Sequence, residues 1–273
     1  MNGSRIYYML AGLVIGLMSS VVAAYEAPQR QIIAAAELSG LFHHAPDNPR
    51  INQGVYYTVL QQALTDSALN DQFEIIIMPM KRAKAGFISR EFACYSPGMD
   101  TFDDPVERAQ LGDVLGGITF NSAIVRVVSR TSDELVYRET DITRQDVLSM
   151  VRGTPMSHAM RRMAEAAGQL FNVRSETENL NMLINGRADH IMVFYPDVIF
   201  AYRSLGIEHH FPYAASFSPL VIGDGLICHS AFADAYASLQ SVLETYRRDG
   251  TLHRLLGDYY LLDSEYMEIP AAH

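Results

Sequence analysis

The sequence predicts an α/β protein of two lobes joined by two crossing segments. Three observations predict it. Short apolar runs of strand length alternate with amphipathic helical runs along the chain, which implies a mostly parallel sheet covered by helices. Residues 146–165, DVLSMVRGTPMSHAMRRMAE, read as strand, tight turn and helix in immediate succession. Two strand-like runs, near 119–126 and 217–224, divide the chain into an outer and a middle part, and the first is broken by the polar pair Asn121 and Ser122.

The stretch 146–165 carries the sharpest local expectation. Val147, Leu148, Met150 and Val151 supply the strand, Gly153 the turn, Thr154 a helix cap and Pro155 the first helical position. A helix start leaves backbone N–H groups unpaired and carries partial positive charge, so it suits an anion. Arg152 adds a formal charge of the same preference. The alternative is that Thr154 only caps a structural helix.

The amino end begins with Arg5, continues through an apolar run from Ile6 to Val22 and reaches Val22-Ala23-Ala24. That order is expected of a secretory signal peptide cleaved after Ala24, with an uncleaved anchor as the alternative. The chain of 273 residues has a formal net charge of −10, and loss of Arg5 with the leader makes it −11. Such acidity argues against nucleic-acid binding, which needs a basic footprint. A bound anion would need a local positive site. Cys94 and Cys228 are the two cysteines. Export permits a long-loop disulfide between them, but each also lies in an apolar segment where a reduced, buried cysteine is ordinary. A zinc site is not expected, nor any other metal or cofactor.

In chain order, 31–37 reads as a strand, 38–49 as a loop, 55–69 as a helix, 73–78 as an isoleucine-rich strand and 80–88 as a helix bearing Lys81, Arg82 and Lys84. Residues 92–95 form a third strand, followed by an acidic turn-rich loop to 105. After the first crossing and the 146–165 unit come a strand at 170–173, a helix at 177–184 stopped by Asn185-Gly186, a strand at 190–194 and a helix near 196–202. The returning strand follows, then a helical tail from 232 to 256 broken at Gly250. The expected organisation is a leader over 1–24, a discontinuous lobe one over 25–122 and 222–273, and lobe two over 123–221. Ligands of such folds sit outside the carboxyl ends of the strands, here between the lobes.

The segments FEIIIMPMKRAKAGF, the Glu107-Arg108 pair, SMVRGTPMSHAM, LNMLINGRADHIMVF and LETYRRDGTLHRLLGDYY occur in an order that resembles the type II periplasmic solute-binding proteins for amino acids and similar solutes, solute-binding protein family 3. Pro79-Met80-Lys81-Arg82-Ala83 resembles a divergent Pro-x-x-Arg-Ala branch. The resemblance implies that Arg108 and the Gly153-Thr154 helix start, with Arg152 beside them, hold a ligand carboxylate. Two departures stand out. Pro105 occupies the place of the family threonine, and Phe194 that of the aspartate that usually meets a ligand ammonium. Asp197 is near in sequence but would point from another position, so an ordinary α-amino acid is less expected. Phe194 and Tyr195 are expected to form an aromatic wall. Tyr95 and Ser96 lie at a strand end that faces the cleft, and Asn121 and Ser122 lie at the crossing, where they either meet ligand or satisfy hinge backbone.

The expected activity is capture of a small polar or anionic, carboxylate-bearing solute by hinge closure. The protein would act as a periplasmic monomer serving an inner-membrane permease of the ABC type or a sensor, with no catalytic residues. The alternatives are an accessory protein of the same fold without transport role and an exported dehydratase-like enzyme. His43 and His44, in the first strand-to-helix loop, are the histidines nearest the expected cleft.

Overall fold

The computed structural model describes residues 30–38 and 40–262. The expected leader lies outside the described residues. Strands β1 (Gln31–Ala36), β4 (Phe73–Met78) and β5 (Cys94–Ser96) form the parallel part of lobe one, and β2 (His43–Ala45) and β3 (Asn48–Gln53) form a separate hairpin between β1 and helix α1 (Val55–Asp66). Helices α2 (Met80–Ile88) and α3 (Pro105–Gln110) follow β4 and β5. Strand β6 (Val114–Ser129) leads into lobe two, made of β7 (Val147–Val151), α4 (His158–Ala166), β8 (Gln169–Val173), α5 (Glu176–Ile184), β9 (His190–Tyr195) and α6 (Asp197–Ser204). Strand β10 (Leu220–His229) returns, and α7 (Ala233–Arg248) and α8 (Thr251–Leu256) close over lobe one.

Among the described residues, all strands but the hairpin belong to one sheet in the order β4-β1-β5-β10-β6-β9-β7-β8. The two crossings are neighbours in it. β6 and β10 pair antiparallel from Leu220 opposite Val125 to His229 opposite Val114, so one ladder runs through both lobes. The register slips between Asp224 and Gly225, where a Cβ on Gly225 would lie 1.7 Å from the Ile118 carbonyl oxygen, so this irregularity requires glycine. Asn121 and Ser122 do not interrupt β6. A strand position opposite another polar residue tolerates them, and Asn121 stands opposite Asp224.

The sheet is covered on both faces, which explains the near-continuous apolar strands. One core packs Val59, Leu60 and Leu64 of α1, Leu180 and Leu183 of α5, Val198 and Tyr202 of α6 and Leu239 and Leu243 of α7 on one face. On the other face, Ala83 and Phe87 of α2 pack with Tyr95 and Phe102 in lobe one, while Met160 and Met163 of α4 pack with Val125, Val127 and Met150 in lobe two. Cys94 and Cys228, opposite each other across β5 and β10, form a disulfide.

Two local expectations are corrected. Residues 38–49 are not simply a loop, because the histidine segment pairs back on 48–53 as β2 and β3. The helix after Gly153 begins at His158, capped by the Ser157 hydroxyl, which accepts from the Met160 N–H at 3.1 Å. Thr154, half-buried, instead donates its hydroxyl to the Val151 carbonyl at 2.8 Å. A local side-chain bond to the preceding turn outcompetes the cap, a known habit of threonine. Gly153 does adopt the positive φ, 87°, that the turn needs.

Candidate functional site

The buried polar groups on and near the crossing strands β6 and β10 come from five elements. Tyr56 of α1 is fully buried and donates its hydroxyl to Asp224 of β10 at 2.6 Å. Asn121 of β6 donates to the same tyrosine oxygen at 2.9 Å and to the Tyr259 carbonyl at 2.7 Å, and its own carbonyl accepts from the Leu261 N–H at 2.7 Å. Asn121 thus ties the crossing strand to the segment after α8, with both ends of its amide engaged. Its bonds go to Tyr56 and to the segment after α8, all groups of the chain itself.

Asp197 at the start of α6 and Glu176 at the start of α5 complete the group. Glu176 is buried and accepts from the Asn179 amide at 3.1 Å and the Phe194 N–H at 3.2 Å. Burial, reinforced by the charge of Asp197, pushes the Glu176 carboxyl up to about 8. Burial likewise pushes Asp224 up to about 7, opposed by the Tyr56 hydrogen bond and reinforced by Asp197 and Asp100. The Tyr56 hydroxyl is raised in turn, chiefly by burial and then by Asp224. Asp197 therefore lies within electrostatic reach of a carboxyl on each side, one in lobe two and one on the crossing strand. Glu176 and Asp224 are each buried and each feel the charge of Asp197, so a positive charge beside Asp197 would favour ionisation of both.

The residues expected to hold an anion are not assembled in this way. Arg108 is exposed on α3, 3.9 Å from Asp100, and its guanidinium reaches the Met99 carbonyl at 3.5 Å. Arg152 is exposed next to the turn. The backbone N–H of Met156, just before α4, is taken by a carboxylate of the chain itself, Asp103 Oδ2, at 3.2 Å, and Arg161 donates to the same oxygen at 3.2 Å. The loop between β5 and α3 therefore carries a negative charge from lobe one onto the α4 start, the place where the sequence leads one to expect a ligand carboxylate.

The remaining expected residues divide by burial. Tyr95 is fully buried against Phe87 and Phe102, with its hydroxyl 2.9 Å from Thr101 Oγ1, so it belongs to the lobe-one core. Ser96 is buried and donates to the Gly225 carbonyl at 2.9 Å, which fastens β5 to the irregular turn of β10. Ser122 stands half-buried opposite Gly223. Phe194 and Tyr195 do not make one wall. As successive strand residues they point to opposite faces, Phe194 toward Phe217 and Leu220 in the α4 core and Tyr195 into the α6 core beside His210 and Tyr213. His43 lies against the lobe-two ring of Phe200 with centroids 5.5 Å apart, and burial lowers its pKa.

Sequence reasoning missed Tyr56, Asp224, Glu176 and Asp103. Asp224 offered a signal, a carboxylate inside the apolar run VIGDGLIC, where an acid among strand residues needs a reason. Glu176 offered less, since an acid just after a capping serine is ordinary helix-start chemistry. Two cavities, of about 280 Å³ beside Phe73 and Phe232 and about 350 Å³ beside Asp146 and His190, lie on the outer sides of the lobes and away from these residues. Among the described residues no group of three or more His, Cys, Asp and Glu side chains converges as metal ligands.

No protein-family model and no curated sequence matches the chain, so its likeness to known proteins is one of structure. An ancestral amino-acid-binding protein, a precursor of cyclohexadienyl dehydratase, superposes with a TM-score of 0.62 at 13% identity over 85% of this chain and 94% of that one. The chain has the type II periplasmic binding protein fold. A histidine kinase sensor domain with similarity to periplasmic binding proteins matches with a TM-score of 0.65 at 9% identity, over 85% of this chain and 96% of that one. The L-cystine receptor of Neisseria gonorrhoeae, in its unliganded open conformation, matches with a TM-score of 0.58 at 14% identity, over 85% and 92%. The periplasmic-binding fold of this chain thus sits among structures of solute receptors and a sensor domain, as the order of its sequence motifs implies. Among the described residues no helix is long and apolar enough to cross a membrane.

Proposed function

We propose that this chain is an exported solute-binding protein that takes one small, amine-bearing solute between its lobes and reports occupancy by hinge closure to a membrane partner, a permease or a sensor. The observation that carries the reading is the buried acid group at the lobe junction, Glu176, Asp197 and Asp224, with Tyr56 bonded to the last. An ammonium there would meet the carboxylate that position 194 lacks, supplied instead from α5, α6 and β10. Its arrival favours ionisation of acids that are otherwise held near neutral, so binding would release protons. We further propose binding without turnover and a leader cleaved after Ala24.

A second reading, favoured by the exposed Arg108 and Arg152, is a solute recognised through a carboxylate alone. A thermal-shift screen of the mature protein against matched amines, amino acids and simple carboxylates separates the two. The first reading expects stabilisation by the amines and amino acids, which grows with concentration as a single-site ligand requires. Stabilisation by the simple carboxylates and none by amines would replace it with the second. Steady loss of the solute during incubation would instead point to an enzyme.

A further inference from the structure

The two lobes touch on both faces of the sheet, and the two contacts differ in chemistry. On the α6 face the contact is largely apolar and aromatic: Gly40 lies so close to Phe200 that an added Cβ would stand 2.6 Å from its Cβ, His43 lies near the same ring, and Arg203 lies 5.2 Å over the ring of Tyr259 and pairs with Asp258. On the α4 face it is a charge contact made by one side chain of lobe one. Asp103 Oδ2 accepts from the Met156 N–H and from Arg161, each at 3.2 Å, and Arg161 also donates to the Met156 carbonyl at 3.2 Å. Behind Asp103, Lys84 stands 4.0 Å from its other oxygen and 3.1 Å from Glu107, with its ammonium 5.1 Å from the Phe102 ring.

We propose that Asp103 is a built-in latch: a tethered carboxylate that holds the α4 side of the cleft together in the absence of solute and must be displaced before the lobes close on a ligand, while the crossing strands β6 and β10 serve as the hinge and the α6 contact pivots with them. A packed aromatic contact can pivot without losing its area, whereas an ion pair a third to a half exposed exchanges readily with water. The latch sits where the chain's own backbone N–H and guanidinium would otherwise meet a ligand carboxylate, so it also bars a purely anionic solute from that place. Lys84, backed by Glu107, orients Asp103 from lobe one, and the positive charges facing Asp103 are Lys84 and Arg161.

The test uses the full mature chain without added solute, so its outcome is independent of which solute the cleft takes. Spin labels at Asp71 in lobe one and Arg187 in lobe two, both exposed, give the interlobe distance distribution by pulsed electron resonance. The wild type is expected to show one short distance at low salt. Asp103→Ala, which removes both bonds to lobe two, is expected to raise the long-distance population up to about fivefold, Arg161→Ala, which leaves the Met156 bond, by less, and the double variant no further than Asp103→Ala. Asp103→Asn, which keeps a group able to accept from the Met156 N–H, is expected to fall between. Unfolding temperatures measured on the same samples separate opening from misfolding. A distance distribution unchanged in Asp103→Ala and Asp103→Asn, with both folded, overturns the latch, as does opening by Asp103→Ala with no opening at all in Arg161→Ala.

Discussion

The buried acids Asp224 and Glu176 and the exposed carboxylate Asp103 all lie near the junction of the two lobes, yet they obey different electrostatics. Asp224 and Glu176 are buried, so desolvation dominates and drives both toward the neutral form at physiological pH. Asp103 is about a third exposed and engages Arg161, which is half exposed, so water and salt screen the interaction. Depth therefore decides what a carboxylate does here. Burial holds the deep acids toward the neutral form, and the shallow one supplies a negative charge to its own chain.

The largest effect expected on stability concerns what both regions hang from, the β5–β10–β6 ladder. The disulfide spans a sequence separation of 134 residues, and reducing it or replacing Cys94 and Cys228 by alanine is expected to cost about 2–5 kcal/mol in denaturant unfolding. An unchanged midpoint after confirmed reduction would mean that the ladder holds without it.

Next in size is the amide of Asn121. Asn121→Leu leaves the Leu261 N–H and the Tyr259 carbonyl without their partner and removes the donor that meets the Tyr56 hydroxyl. Loss of a buried network of this kind is expected to cost about 2–4 kcal/mol, read as a lower chemical midpoint. A cost well under about 1 kcal/mol would show that water replaces the amide.

The pH response sharpens the contrast between deep and shallow acids. The folded protein holds protons on Glu176 and Asp224 that the unfolded chain, with carboxyls near ~4, has already released. Their contribution to stability is therefore fully present below about pH 4 and is lost as pH rises through about 7 and 8. The melting temperature of the solute-free protein should fall between about pH 5 and 9, and Glu176→Gln should flatten that fall. A slope identical in the variant would remove Glu176 from the account. The smallest effect is the response to salt: Asp103→Ala should leave the melting temperature within about a degree or two, since an exposed pair contributes about 0–1 kcal/mol, and should abolish only the salt sensitivity of closure.

The legibility of these regions in the sequence follows the same division. The alternation of Ile75, Ile77 and Val127 with their helices, the stop at Asn185-Gly186 and the break at Gly250 are local signals, and each appears where periodicity and turn chemistry put it. The helix start at Ser157 was hidden because Thr154 and Ser157 are both competent caps, and a backbone bond to Val151 decided between them. The acid group was hidden for a different reason. Tyr56, Glu176, Asp197 and Asp224 are separated by up to 168 residues and lie on four different elements, so only the tertiary fold sets them near one another. Family resemblance pointed to position 194 for a carboxylate and found Phe194, whereas the buried carboxyls of α5, α6 and the crossing strand lie elsewhere in the sequence.

The most direct test of the central claim is isothermal titration of an amine-bearing solute that stabilises the protein, run near pH 7 in two buffers of different ionisation heat. Net proton release is expected on binding, reduced in Glu176→Gln and in Asp224→Asn, because the incoming cation ionises the buried acids. Binding with no proton exchange, or with affinity untouched in both variants, would contradict it.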